Sequence, residues 1–288
     1  MRFRPRKVLL RYSAALAGAL LLASLSGPTR AEGNAEGNAE GNNDACFEPK
    51  GSIKEALDAC AAFLASNPTD QDHIVKAHII RAIGLSATDN VDGAIGELDE
   101  AIRLDPTRAN SFFMRGAAYE AKGEHDKALT DLDEAIRLDP TPGDFYLMRG
   151  IVYNQKGDLD RAIAELDQKV KLDPESTQGY SKRAELYRQK KDYDHAVADY
   201  AEVIKLDPGA AKGYVDQGWI YVLQNDLDKA MEDFTNALKI EQSNASALFG
   251  RGLVKSRKGK PTDGSNDLAL AKQLEPEIVD MIKKLGVE

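Results

Sequence analysis

Residues 109–142 read ANSFFMRGAAYEAKGEHDKALTDLDEAIRLDPTP, and the later chain can be laid on this stretch without a gap. Steps of 34 residues carry Leu104-Asp105-Pro106 onto Leu138-Asp139-Pro140, Leu172-Asp173-Pro174, Leu206-Asp207-Pro208, Ile240-Glu241-Gln242 and Leu274-Glu275-Pro276. The blocks are 75–108, 109–142, 143–176, 177–210, 211–244 and 245–278. A fixed period of this length means that each unit buries its apolar face against its neighbours rather than within itself.

Within a block, Phe112, Gly116 and Tyr119 recur as Tyr146, Gly150 and Tyr153, as Tyr180, Ala184 and Tyr187, and as Tyr214, Gly218 and Tyr221. Spacings of four and three residues put these side chains on one helical face. The second half repeats Ala128, Leu132, Ala135 and Ile136, with Ala162, Ala196 and Ala230 in the first of those columns. Small residues there let two helices approach closely. Gly123, Gly157, Asn225 and Gly259 share the turn column and tolerate the left-handed conformation that ends a helix. Proline after the second helix forbids its continuation.

On these columns the chain resembles the tetratricopeptide repeat proteins, whose pattern of large, small and Tyr positions followed by Ala, Ala and Pro has the same period. The resemblance covers the six blocks and a second-helix half-repeat from Gly51 to Pro68, within 51–74. It implies an all-α, right-handed superhelical solenoid of antiparallel helical hairpins. Lys169, Lys255 and Gly264 depart from the pattern. The last two lie in the final block, where the loosest packing is expected. Glu277 to Leu285 places Ile278, Ile282 and Leu285 on one face, so 277–288 is expected to cap the stack.

The N-terminus has another character. Arg2, Arg4, Arg6, Lys7 and Arg11 precede an apolar run from Tyr12 to Leu25, then Gly27-Pro28 and Thr29-Arg30-Ala31. This reads as a secretory signal over 1–31 in a bacterial periplasmic or secreted protein, with an uncleaved anchor as the rival. Ala-Glu-Gly-Asn then repeats three times within a polar linker and cap segment over 32–50. Cys46 and Cys60 are the only cysteines, and an oxidising compartment would let them bond. Buried free thiols are the alternative. Cys46 falls in a segment broken by Asn, Gly and Pro, which is not expected to supply a helix. Without its signal, the chain carries 32 basic against 47 acidic residues, a surface that repels nucleic-acid phosphates.

The seventh residue of the blocks is Arg81, Arg115, Arg149, Arg183, Gln217 and Arg251, and the twenty-third is Glu97, Asp131, Glu165, Asp199, Asp233 and Asp267. At about the same height on opposite helices, a forked guanidinium can meet a carboxylate, so these columns read as a structural ion-pair ladder. Six equivalent copies argue against catalysis. His73, His78, His125 and His195 are scattered without metal-ligand spacing, and no nucleophile elbow, phosphate loop or calcium loop occurs. No cofactor is expected.

The resemblance places the fifth and ninth residues of each block on a concave, ligand-binding side. The apolar ones are Ile79, Ile83, Phe113, Leu147, Ile151, Val215, Trp219, Phe249 and Leu253, with Ala117 beside them. They form the candidate groove unless curvature packs them between successive first helices. The expected function is a non-enzymatic, exported scaffold for a peptide or protein segment. A self-associating envelope subunit, and hence a homo-oligomer, is the alternative, and a solenoid enzyme without a recognisable motif is the outsider.

Overall fold

The computed structural model describes residues 43–47 and 51–287, so the signal and Ala-Glu-Gly-Asn readings lie outside the described residues. The described chain is all helix and turn. It divides after Val152 into two compact units. The first holds α1 (Asn43–Phe47), α2 (Ile53–Ala65), α3 (Gln71–Ala87), α4 (Val91–Leu104), α5 (Ala109–Lys122), α6 (His125–Leu138) and most of α7 (Gly143–Gln155). The second holds α8 (Leu159–Leu172), α9 (Thr177–Gln189), α10 (Tyr193–Leu206), α11 (Ala211–Gln224), α12 (Leu227–Ile240), α13 (Ala245–Arg257), α14 (Pro261–Leu274) and α15 (Ile278–Lys284).

Helix ends follow local chemistry. Asn90, Asp158, Asp192 and Asp226 cap the second helices of their hairpins, each side chain accepting from the main-chain N–H three residues on. The residue immediately before the N-cap of a second helix takes different identities at one conformation: Gly157 (φ 80°), Lys191 (φ 62°) and Gly259 (φ 79°) are all left-handed. Lysine at this place carries a strain that glycine does not, and nothing in the side-chain pattern announces it.

Within each unit, successive helices pack side by side, α3 on α4, α4 on α5 and α5 on α6 in the first, and α8 through α14 in turn in the second. The small columns are what permit this. A methyl group added to Gly116 would stand 3.0 Å from Leu132 Cγ and 3.2 Å from the Ala128 carbonyl oxygen. The first core runs from Val75, Ala82 and Leu98 through Leu132 to Phe145. In the second unit, Phe234 is fully buried and fills the space left by Gly218.

Two expectations change, and one departure from the pattern finds a partner. Cys46 lies on a helix after all, the short α1, and Cys46 and Cys60 are joined by a disulfide with Cα atoms 4.6 Å apart. Phe47 and Phe63 pack edge to face beside it, which is why so short a helix can be held. The final hairpin is closely packed rather than loose: a methyl group on Gly252 would stand 2.9 Å from the Gly264 oxygen, so paired glycines bring α13 and α14 together. Lys169, at a small-residue column, is buried yet sends Nζ to Asp173 at 2.6 Å.

Candidate functional site

The ion-pair columns meet across the hairpins. Arg115 Nε and Nη2 each donate to Asp131 at 2.8 Å, and its Nη1 donates to Asp99 at 2.7 Å. Arg183 repeats the fork, with Nε 2.9 Å and Nη2 2.6 Å from Asp199 and Nη1 2.7 Å from Asp167. Arg251 forks onto Asp267 at 2.8 Å for both donors. Arg81 reaches Glu97 at 2.8 Å, and His78 Nδ1 lies 2.7 Å from the other oxygen of Glu97. Arg149 donates to Asp133 at 2.7 Å.

Three of the arginines reach beyond their own hairpins. Arg115, Arg149 and Arg183 each take a carboxylate of the preceding hairpin and lie 5.7 Å over the rings of Phe112, Tyr146 and Tyr180. Asp99, Asp133 and Asp167 are a third column that the sequence reading missed, although their 34-residue spacing was available. Lys122 with Asp92, Lys190 with Asp160 and Gln224 with Asp194 form another missed series between hairpins. Lys255, the departure from the aromatic column, adds a second cation to Asp267 at 2.8 Å. Burial pushes the Asp267 carboxyl up, but hydrogen bonds from Arg251 and Lys255 outweigh it and hold the carboxyl below the usual range.

The fifth block lacks the cation. Asp233 is buried, its Oδ2 has no hydrogen bond, and burial with the added charge of Glu232 pushes its carboxyl up to about 7. This is a consequence of one substitution in a repeated column.

The first-helix face divides in two. Ile79, Phe113, Leu147, Val215 and Trp219 are buried, whereas Ile83, Ile151, Phe249 and Leu253 are half-buried. Phe113 stacks on Phe145 of the next first helix with ring centroids 4.8 Å apart. Trp219 meets Phe234 edge to face at 5.0 Å and donates Nε1–H to Ser246 Oγ at 2.8 Å. Curvature that brings consecutive first helices together accounts for the buried members.

Tetratricopeptide-repeat family models match residues 81–144, 113–177 and 147–211, and a further TPR repeat model matches 218–259. These hairpins are tetratricopeptide repeats. No curated protein matches the chain. Among solved structures it is similar to YrrB, described as a TPR protein with an unusual peptide-binding site, at 24% identity over 67% of this chain and 97% of that one, TM-score 0.53. It is also similar to the pilF protein of Pseudomonas aeruginosa, at 15% identity over 74% of this chain and 99% of that one, TM-score 0.61. A tetratricopeptide repeat protein from Parabacteroides merdae gives 18% identity over 86% and 97%, TM-score 0.60. These likenesses concern the tetratricopeptide fold.

Among the described residues of the tetratricopeptide array, no group of three or more His, Cys, Asp or Glu side chains could hold a metal ion. Among the same residues no helix is long and apolar enough to cross a membrane. The acidic column of the repeats is engaged in structural pairs at Glu97, Asp131, Asp199 and Asp267.

Proposed function

We infer that the protein is an exported, non-enzymatic interaction scaffold that holds a peptide or partner segment along its first-helix face. The observation that carries this reading is the recurrence of half-buried apolar side chains, Ile83, Ile151, Phe249 and Leu253, in two repeat columns. Covering each such side chain is worth about 1.5–3 kcal/mol at most, so a few suffice for a specific partner. The peptide-binding site named for YrrB is in keeping with it. The Cys46–Cys60 bond supports an oxidising compartment, as does the positive, apolar and small-residue pattern of 1–31.

The test is selection of displayed random peptides on the purified chain, followed by counter-screening against the Ile83→Asp/Ile151→Asp variant. Peptides that lose about tenfold or more on a variant of unchanged helicity support the reading. Failure to enrich any peptide, together with a concentration-dependent oligomer in sedimentation, would replace it with the self-associating subunit. Mass spectrometry of material recovered from the periplasm should show an N-terminus near Glu32; an intact Met1 there would rule out the cleaved signal.

A further inference from the structure

A helix that only capped the second unit would touch its last hairpin, α13 and α14, and α15 does pack on both. The chain after it goes further. Leu285 offers its carbonyl oxygen to Arg188 Nη1 at 3.1 Å, and Arg188 lies on α9, two hairpins before the last. First helices packed at interaxial distances of about 8–10 Å put α9 some 16–20 Å from α13. Seven helical residues cover about 10 Å, Leu285 follows them in helical conformation, and the Arg188 side chain reaches toward it. The segment and the Arg188 side chain together therefore bridge from the last hairpin to α9 within their own unit.

Its side chains are seated accordingly. Ile278, Ile282 and Val287 are 0%, 4% and 5% exposed, whereas Lys283, Lys284 and Gly286 are exposed. They belong to the same apolar cluster as Val215, Trp219 and Val222 of α11, with Phe249 and Leu253 of α13 at its margin. Gly286, at φ 87°, makes the left-handed turn that lets Leu285 present its carbonyl and Val287 its side chain. Two of the four half-buried positions assigned above to partner binding thus pack against a cluster that a segment of the chain itself helps to build.

We propose that residues 278–287 occupy the partner site of the second unit as an internal ligand, and that this site takes a short amphipathic helix of the same chemistry. Such a helix presents aliphatic side chains four residues apart, then a turn that leaves a main-chain carbonyl to Arg188. This deepens the scaffold reading and rests on it. An internal ligand lowers the apparent affinity for an external one by the fraction of time that it is released, so binding waits on displacement of the tail.

The probe is a fluorescein-labelled peptide of residues 277–288, EIVDMIKKLGVE, titrated into the full chain. Wild type should bind it weakly, and full-length Ile282→Asp, whose own tail is dislodged, should bind it about tenfold or more tightly. Adding Arg188→Ala to that variant should return most of the gain. Because Ile282→Asp could loosen the last hairpin, Arg188→Ala alone is followed by hydrogen exchange. Amides of 278–287 should exchange about tenfold faster there than in wild type, with α9 and α11 unchanged. Unchanged exchange in Arg188→Ala, or no gain in peptide affinity in a helical Ile282→Asp chain, would overturn the proposal. In that event, continued loss of selected peptides on Ile83→Asp/Ile151→Asp would leave the scaffold reading standing on the first unit.

Discussion

Gln217 stands in the arginine column opposite Asp233, but its Nε2 donates instead to the Val197 carbonyl oxygen at 3.0 Å. The carboxylate across the hairpin keeps an unpaired buried oxygen where Arg115, Arg183 and Arg251 fork onto their partners elsewhere. The repeat is thus missing one rung, and the omission has a pH signature.

Asp233 is pushed up to about 7 in the folded chain, above the unfolded value of about 3.9. Between those values the folded state holds a proton that the unfolded state has lost. Its contribution to stability is present below about pH 4, falls as pH rises to about 7 and stays lost above that. Gln217→Arg should remove this decline and raise stability at pH 8 by about 1 kcal/mol or more, since a buried acceptor gains its partner. Thermal unfolding of both chains at pH 5 and pH 8 reads the difference. An identical pH response would show that Asp233 does not titrate in this range.

Trp219 and Tyr221 are two residues apart, and the candidate groove residue is the more deeply buried of the two. Trp219 is 2% exposed, whereas Tyr221 is half-buried with Lys229 Nζ 5.1 Å above its ring. Trp219→Ala should cost about 3–5 kcal/mol through the cavity left beside Phe234. Tyr221→Ala should cost less, about 1–2 kcal/mol. Denaturant midpoints rank them, and the reverse order would refute the burial argument.

The Cys46–Cys60 bond closes a 14-residue separation and ties α1 to α2. Unreduced mature protein should weigh two hydrogens less than the dithiol. Reduction should lower the stability of this cap by about 3 kcal/mol on the chain-entropy account. Hydrogen exchange confined to 43–66 is the expected response. Alkylation of both cysteines in untreated exported protein would exclude the bond.

Lys191 takes φ 62° at the turn where other hairpins use Gly157 and Gly259. Lys191→Gly should relieve left-handed strain of about 1 kcal/mol, offset in part by the entropy of a freer unfolded chain. Gly157→Ala, at φ 80°, should destabilise by a similar amount. A chain stabilised by neither glycine would mean that the turn adapts without strain. Equilibrium unfolding in urea measures both.

Periodicity alone determined the hairpins, their small and aromatic columns and the arginine–acid pairing. Residues 34 apart that must all make the same contact leave the same residue type in each copy, as at Arg115, Arg183 and Arg251 or Asp131, Asp199 and Asp267. Two further ladders, Asp99 with Arg115 and Asp92 with Lys122, were equally periodic but could be read only once neighbouring hairpins were placed side by side. Tertiary structure decided what no column encodes. Whether Trp219 is core or surface depends on how closely α13 approaches α11, because one exposed helical face becomes an interior when the next helix covers it. The glycine pair Gly252 and Gly264, which looked like a weakness, is a close approach because missing side chains admit a helix as readily as they leave a void. The reach of Leu285 to Arg188 was beyond any local reading, since a contact across 97 residues exists only after the intervening hairpins have curved into place.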